Sequence, residues 1–307
     1  MTPQELSLYI KAEAKRLGFA VCGIAKAGVV PQEEVKRFTE WIEGGNHGTM
    51  SYLERNNDKR ENPTLLVPGC KSIICVAMSY AQPVTPTNRL HLSRYARGKD
   101  YHRVVKDRLH ALLKSINEAT GARGRAFCDS APVLEHYWAE QAGIGRVGLN
   151  HQLIIPGLGT FFLLGELFID QEAEADTPID HNLCINCNRC IINCPTGALT
   201  KTGFDARKCL SYLTIEHRGE LPENIGKKMG NCFYGCDRCN ASCPHNGNNE
   251  QETADELLPS AELSEMSDEE WFTLSEEKYN SLFKESAVER AGYAQLMRNI
   301  NEIKKQR

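Results

Sequence analysis

Apolar residues recur along the first half of the chain at helical spacing, then at strand spacing. Leu6, Tyr9, Ile10, Ala14 and Leu17 share one face at 3.6 residues per turn and predict an amphipathic helix. FAVCGIA (19–25) follows as a short unbroken apolar run, the pattern of a buried strand. Pro31 opens a second helix with Val35, Phe38 and Ile42 turned inward. KSIICVAMSY (71–80) and RAFCD (125–129) predict further strands. PVLEHYWAEQAG (132–143) predicts a helix opened by Pro132 and stopped by a glycine. The most apolar stretch, LIIPGLGTFFLLGELF (153–168), is broken by Pro156, Gly157, Gly159 and Gly165 and is too short to span a bilayer. It predicts a strand pair. Together these elements predict an α+β protein whose residues 1–177 form a mixed α/β domain around a mixed sheet.

The pattern changes after that. A cysteine-rich module occupies 178–246, with a ferredoxin-like character argued below. The span 247–270 holds nine acidic residues and no Lys or Arg, which predicts a solvated linker or exposed helical turns. The rest of 247–307 is a helical tail, with Trp271, Leu282, Phe283, Leu296 and Ile300 as its inward residues.

Composition narrows the class only slightly. With 307 residues, 41% of them hydrophobic and 25% charged, the chain has the make-up of a soluble globular protein. A net charge of -4 announces no nucleic-acid binder, although a local basic face is compatible with it. The first residues lack the basic head and apolar run of a secretory signal, so the expectation is a cytoplasmic protein that meets no membrane.

The cysteines change the picture. Nine of the 13 fall within the 60 residues from Cys184 to Cys243, while Cys22, Cys70, Cys75 and Cys128 are scattered among apolar neighbours as buried thiols. Without a secretory signal, so dense a group points to metal rather than disulfides. Cys184-x2-Cys187-x2-Cys190-x3-Cys194-Pro195 has the bacterial ferredoxin spacing, in which three thiolates hold one 4Fe–4S cluster and the fourth crosses to a second. A zinc knuckle would want two separated CxxC pairs and no trailing Cys-Pro. Cys236-x2-Cys239-x3-Cys243-Pro244 repeats the last three positions, with Phe233 where the first cysteine would stand. One cluster is therefore assigned to Cys184, Cys187, Cys190 and Cys243. The other takes Cys194, Cys236 and Cys239 with either Cys209 or Cys232, and spacing leaves that choice open. Cys232-x3-Cys236-x2-Cys239 also imitates a radical S-adenosylmethionine triplet, but such triplets open long barrels, and Cys243-Pro244 already claims two of these cysteines for the ferredoxin pattern.

Three other features carry possible chemistry. Gly143-Ile144-Gly145-Arg146-Val147-Gly148 matches GxGxxG but closes a helix instead of opening one, so it reads as a helix stop and tight turn. Asp100, Tyr101 and His102 sit among Arg94, Tyr95, Arg97 and Arg103, a cluster rich in proton donors and cations that also fits a solvated helix start. They resemble the start of the cobalt-binding DxHxxG motif, but Val105 replaces its glycine, which argues against His102 as a cobalt ligand. Asp129 ends an apolar strand just ahead of a helix. It suits either an N-terminal acceptor of backbone N–H groups or a proton-transferring acid.

SRYARGKDYHRV (93–104), CDSAPVLEHYWAEQAGIGRVGLN (128–150), GTFFLLGEL (159–167), CINCNRCIINCPTGAL (184–199), DARKCLSYLTIEHRGE (205–220), MGNCFYGCDRCNASCPHN (229–246) and RAGYAQLMRNI (290–300) together resemble the epoxyqueuosine reductase family. These are cobalamin- and iron–sulfur-dependent enzymes of the queuosine tRNA-modification pathway, and the resemblance runs through most of the chain in the family's order. It implies a cobalamin domain like that of reductive dehalogenases joined to a two-cluster module. The implied reaction reduces the epoxide of epoxyqueuosine at the tRNA wobble position to the alkene. It also implies Cys209 as the last cluster ligand, Asp129 as proton donor with Asp100, Tyr101 and His102 beside it, and cobalamin contacts at Arg55, Asp129, Leu153, Leu163, Ser211, Cys236 and Asp237. An acid in that role would hold its own proton through a pKa raised by burial. A monomer served by a separate electron donor is expected. Two alternatives stand beside this reading: a cobalamin-dependent reductase of a small molecule, and a ferredoxin-type electron carrier. Two departures are visible. Leu149 stands where the family commonly has a lysine. Many members also continue into helical-repeat pairs that help hold tRNA, whereas here Arg290, Arg298, Lys304, Lys305 and Arg307 remain, which implies a reduced or redistributed grip.

Overall fold

The computed structural model describes residues 1–82, 89–185, 187–247 and 252–307; part of the acidic stretch, 248–251, therefore lies outside the described residues. Helix α1 (Pro3–Arg16) begins at a capping box in which the Thr2 hydroxyl and the Glu5 carboxylate satisfy each other's backbone N–H groups. Strand β1 (Val21–Lys26), helix α2 (Gln32–Glu43), strand β2 (Ser72–Ser79), helix α3 (Tyr101–Thr120), strand β3 (Gly124–Phe127), helix α4 (Glu135–Gln141) and strand β4 (Phe162–Ile169) follow. The strands form one sheet in the order β1-β2-β4-β3. Every pairing in it is antiparallel. The expected mixed sheet is thus corrected. β1 and β2 are sequential neighbours, whereas α3 carries the chain from β2 across the sheet to β3 and leaves between them a place that β4 fills, antiparallel to both.

Both faces of the sheet are covered. On one, Ile74, Val76 and Met78 of β2 and Leu163, Leu167 and Ile169 of β4 pack against α1 and α3. On the other, Ile73, Cys75 and Ala77 join Phe162, Leu164 and Phe168 against Trp138 and Ala139 of α4. Both central strands are consequently buried along their whole length, which explains their unbroken apolar sequences. Helix α3 lies so close to β4 that a Cβ on Gly165 would come within 2.6 Å of Val105.

Two expected elements differ. The stretch 153–168 does not fold onto itself as a strand pair. Leu153–Ile154 pairs with Arg146–Val147, and β4 pairs inside the main sheet, with a single bridge from Ile155 to Gly159 between them. In α2 no residue is fully buried. Its Phe38, together with Trp41, faces a cleft instead of a core.

The cysteine module and the tail share an apolar cluster in which Leu210, Leu213, Phe233 and Tyr234 pack with Trp271, Phe283, Leu296 and Ile300. Helix α5 (Tyr293–Lys304) seals it. Asn299, fully buried, donates to the carbonyls of Thr214 and Phe233 at 2.9 and 3.0 Å. The basic residues expected to hold tRNA are largely engaged within the fold: Arg298 with the carbonyls of Leu213, His217 and Gly219, Arg290 with Glu216, Lys305 with Glu302 and Arg307 with Asp268. A buried polar network ties the module to the sheet domain. Asn240 donates to the Tyr80 hydroxyl at 3.1 Å and accepts from Asn150 and Thr160, while Asn246 donates to Thr160. Among the described residues, no helix is long and apolar enough to cross a membrane.

Candidate active site

A cleft of about 1880 Å³ opens between the sheet domain and the cysteine module. Asp129 stands in it, just past the end of β3, with φ of 56°, a left-handed conformation uncommon for a residue with a side chain. Its backbone N–H donates to the carboxylate of Glu135, the first residue of α4, and this bond closes the turn. Across the cleft mouth lies the start of α3. Asp100 caps that helix, accepting the backbone N–H of His102 at 3.0 Å. The same carboxylate takes His102 Nδ1 at 2.7 Å, leaving Nε2 aimed at Asp129 Oδ2, 3.2 Å away. The Tyr101 hydroxyl donates to that same Asp129 oxygen. Its ring stacks on His102, with centroids 4.0 Å apart, and meets the edge of Tyr95 at 5.7 Å.

These contacts decide where the proton resides. Burial disfavours the charged imidazole, but hydrogen bonds to Asp100 and Asp129 outweigh it and push His102 up to about 9. Burial would raise Asp129. The hydrogen bonds from His102 and Tyr101, aided by the charge of Arg290, override it and hold this carboxyl below the usual range. The expectation that burial makes Asp129 keep its own proton is therefore corrected: at neutral pH Asp129 is a carboxylate and the imidazolium beside it carries the proton.

Of the other expected residues, Arg55 and Ser211 line the cleft, as does Cys209. Leu153, Leu163, Cys236 and Asp237 are not among its lining residues. Leu163, in β4, is buried against α1 and α3, and Leu153, in the short strand paired with Arg146–Val147, is buried in the core on the α4 side. Cys236 packs beside the module's apolar cluster, and Asp237 accepts the backbone N–H of Arg94 at 2.9 Å. Sequence reasoning missed Glu135, His136, His151 and a cleft-facing role for Arg290, all of which line the cavity. The acid at the start of α4 could have drawn attention to Glu135. No pattern along the chain announces Arg290, which arrives from the tail.

Cys184, Cys187, Cys190 and Cys243 line one small cavity, together with Ile154 and Pro244. Among the described residues no three His, Cys, Asp or Glu side chains converge as a single metal ion would require. These thiols instead ring a shared space. Cys194, Cys209, Cys236 and Cys239 form a second neighbourhood. Burial raises the Cys209 thiol, with a contribution from Cys194. Burial pushes Cys236 up to about 11, with Cys209 adding to it, and raises Cys239 with help from Cys236 and Cys209. Cys232 directs its thiol to the carbonyls of Tyr234 and Gly235 at 3.4 and 3.5 Å. The four scattered cysteines lie apart from both groups, Cys70, Cys75 and Cys128 buried and Cys22 half-buried.

Residues 183–246 match the 4Fe-4S double cluster binding domain, which sets the cysteine module among iron–sulfur proteins. Residues 60–130 match the family described as epoxyqueuosine reductase QueG, DUF1730. An epoxyqueuosine reductase of Leadbetterella byssophila is 40% identical over 304 residues, which make up 98% of this chain and 99% of that protein. The chain belongs to the epoxyqueuosine reductase family. A crystal structure of an epoxyqueuosine reductase with an epoxyqueuosine-modified tRNA-Tyr stem loop superposes with a TM-score of 0.89 at 27% identity, covering 98% of this chain and 81% of that one. The catabolic reductive dehalogenase NpRdhA shares the fold more distantly, with a TM-score of 0.51 at 18% identity, covering 86% of this chain and 34% of that one.

Proposed function

We infer that this chain reduces the epoxide of epoxyqueuosine, carried at the wobble position of tRNA, to the alkene of queuosine. The observation that carries this reading is the likeness to an epoxyqueuosine reductase along almost the whole of both chains. The cleft geometry suits the chemistry. Removing an epoxide oxygen as water consumes two electrons and two protons.

Cobalamin is the cofactor we assign to the cleft. The space is wide enough for a macrocycle, its walls mix aromatic Trp41, Tyr52 and Phe204 with polar Arg55 and Ser211, and Asp129 looks into it. Arg55, Ser211 and Asp129 are the residues of this chain that would hold it. When bound, cobalamin supplies a strongly reducing metal centre to which low-potential clusters can pass electrons one at a time. The first cluster is assigned to Cys184, Cys187, Cys190 and Cys243, the second to Cys194, Cys209, Cys236 and Cys239, and a separate donor protein loads both.

Asp129 delivers the proton to the departing oxygen. A carboxylate that rests ionised does this by relay: the imidazolium of His102 passes its proton to Oδ2 as negative charge grows on the epoxide oxygen, so that no free alkoxide accumulates. Asp100 fixes the imidazole so that Nε2 points at Asp129, and Tyr101 anchors the same oxygen. Arg290 adds positive charge near the carboxylate.

The test is anaerobic turnover of an epoxyqueuosine-modified tRNA stem loop by protein loaded with iron, sulfide and cobalamin and supplied with a low-potential reductant. Queuosine should form only when cobalamin is present. Equal conversion without corrinoid, or conversion of a free small substrate that tRNA does not compete against, would overturn the reading.

A further inference from the structure

Glu166 lies at the centre of the sheet, in β4, directly opposite Cys75 on one side and Phe127 on the other. It is fully buried, and neither of its carboxyl oxygens has a hydrogen-bond donor. The polar side chain it meets is another carboxyl, that of Glu135 at the start of α4. Glu135 faces two ways: it accepts the backbone N–H of Asp129, and it lines the cleft. Two ionised carboxylates offer only acceptors to each other and cannot hydrogen-bond; a single proton between them turns the same contact into an O–H···O bond. A chain that buries Glu166 with no cation beside it has to supply that proton or bear the cost of an unpaired buried charge.

We propose that Glu135 and Glu166 share one proton at neutral pH and form a second proton-holding site of the cleft, with Glu135 as its cleft-facing end and Glu166 as its buried anchor. The surroundings agree. Burial and then the charge of Asp129 raise Glu135; burial and then the charge of Glu135 raise Glu166 well above the carboxyl range. The other titratable neighbours are Cys75 from β2 and Cys128 from the end of β3, both raised by burial and so uncharged, and His102 from α3, which lowers Glu135 weakly. Both glutamates lie inside the sequence segments that carry the family resemblance, LEHYW and GEL, yet the relay from His102 to Asp129 uses neither.

The role in turnover rests on the epoxide-reduction reading. There the balance is two electrons and two protons in, one alkene and one water out. His102, through Asp129, gives the first proton to the oxygen as the carbon–oxygen bond breaks. The Glu135–Glu166 pair gives the second and releases water. The pair is then left as two adjacent buried carboxylates, an unfavourable state that draws a proton back from solvent through the cleft.

Infrared spectroscopy of the cluster-loaded protein at neutral pH tests the shared proton without any turnover. Wild type minus Glu166→Gln should show a protonated-carboxyl band that shifts in D2O, and in Glu135→Gln, where Glu166 keeps its proton against an amide instead of a carboxylate, that band should persist at a shifted frequency. No band in either difference spectrum overturns the proposal. In single turnover, Glu166→Gln should retain its iron and its cobalamin spectrum yet convert epoxyqueuosine about 10²-fold more slowly, with an altered pH profile. A wild-type rate and profile in this variant would overturn the catalytic half. Should wild-type protein itself fail to act on epoxyqueuosine tRNA, the functional reading is what fails, and the infrared result still decides whether the proton is shared.

Discussion

His102 Nε2 and Asp129 Oδ2 stand 3.2 Å apart, although 27 residues separate them along the chain. One comes from the first turn of α3, the other from the turn that leaves β3, and the two elements meet because α3 packs across the sheet that β3 edges. The ion pair makes the imidazolium the resting site of the proton and leaves Asp129 free to face the cleft as a carboxylate.

This placement gives a defined pH dependence. The folded value of His102, about 9, lies above its ordinary 6.5. The stabilisation from this pairing is therefore fully present below 6.5 and is lost as pH rises through about 9. Conversion of epoxyqueuosine tRNA should fall over the same upper range, because the imidazolium is the proton source. His102→Gln should abolish that alkaline limb along with most of the activity. A pH–rate profile of the two proteins decides it, and an unchanged limb in the variant would assign the titration elsewhere.

The cluster assignments separate by iron content. Fully loaded protein should hold about eight irons. Cys243→Ser and Cys209→Ser should each lose about half, one from each cluster. Cys232→Ala should keep the full count, since its thiol is directed at backbone carbonyls. Iron and sulfide analysis after anaerobic reconstitution measures all three. Loss of iron in the Cys232 variant with retention in the Cys209 variant would reverse the choice of ligand.

Helix α5 should be part of the folded unit that carries the module. Asn299→Ala leaves the carbonyls of Thr214 and Phe233 without a donor in a fully buried site, at a cost of about 1–3 kcal/mol. The denaturation midpoint should drop with the m-value unchanged. An unshifted midpoint would mean that water replaces the amide there.

How much was legible follows from how locally each feature is encoded. Cluster ligands lie close together along the chain, so the spacing from Cys184 to Cys194 and from Cys236 to Cys243 discloses them directly. Strand patterns located β1, β2 and β3 to within about two residues, whereas β4 was expected only as part of a strand pair over 153–168. Pairing is a tertiary property, and the antiparallel order of β1, β2, β4 and β3 was not readable from alternation alone. The same holds for α2, where Val35, Phe38 and Ile42 form the stripe of a core helix but part of that stripe walls the cleft. Asp129 and His102 were each visible as reactive residue types, yet the direction of the Asp129 pKa depended on partners that only the fold supplies. Leu153 and Leu163 were expected at the cofactor, but both are buried in the two cores, Leu163 from β4 and Leu153 from the short strand beside Arg146–Val147. Arg290 reaches the cleft from the far end of the chain.

The most direct measurement is single-turnover conversion of an epoxyqueuosine tRNA stem loop by Asp129→Asn, with iron and cobalamin contents matched to wild type. The variant should bind the stem loop and accept electrons normally while converting it about 10²- to 10⁴-fold more slowly, the range attributable to a positioned proton donor. Conversion at the wild-type rate would contradict Asp129 as the group that protonates the departing oxygen.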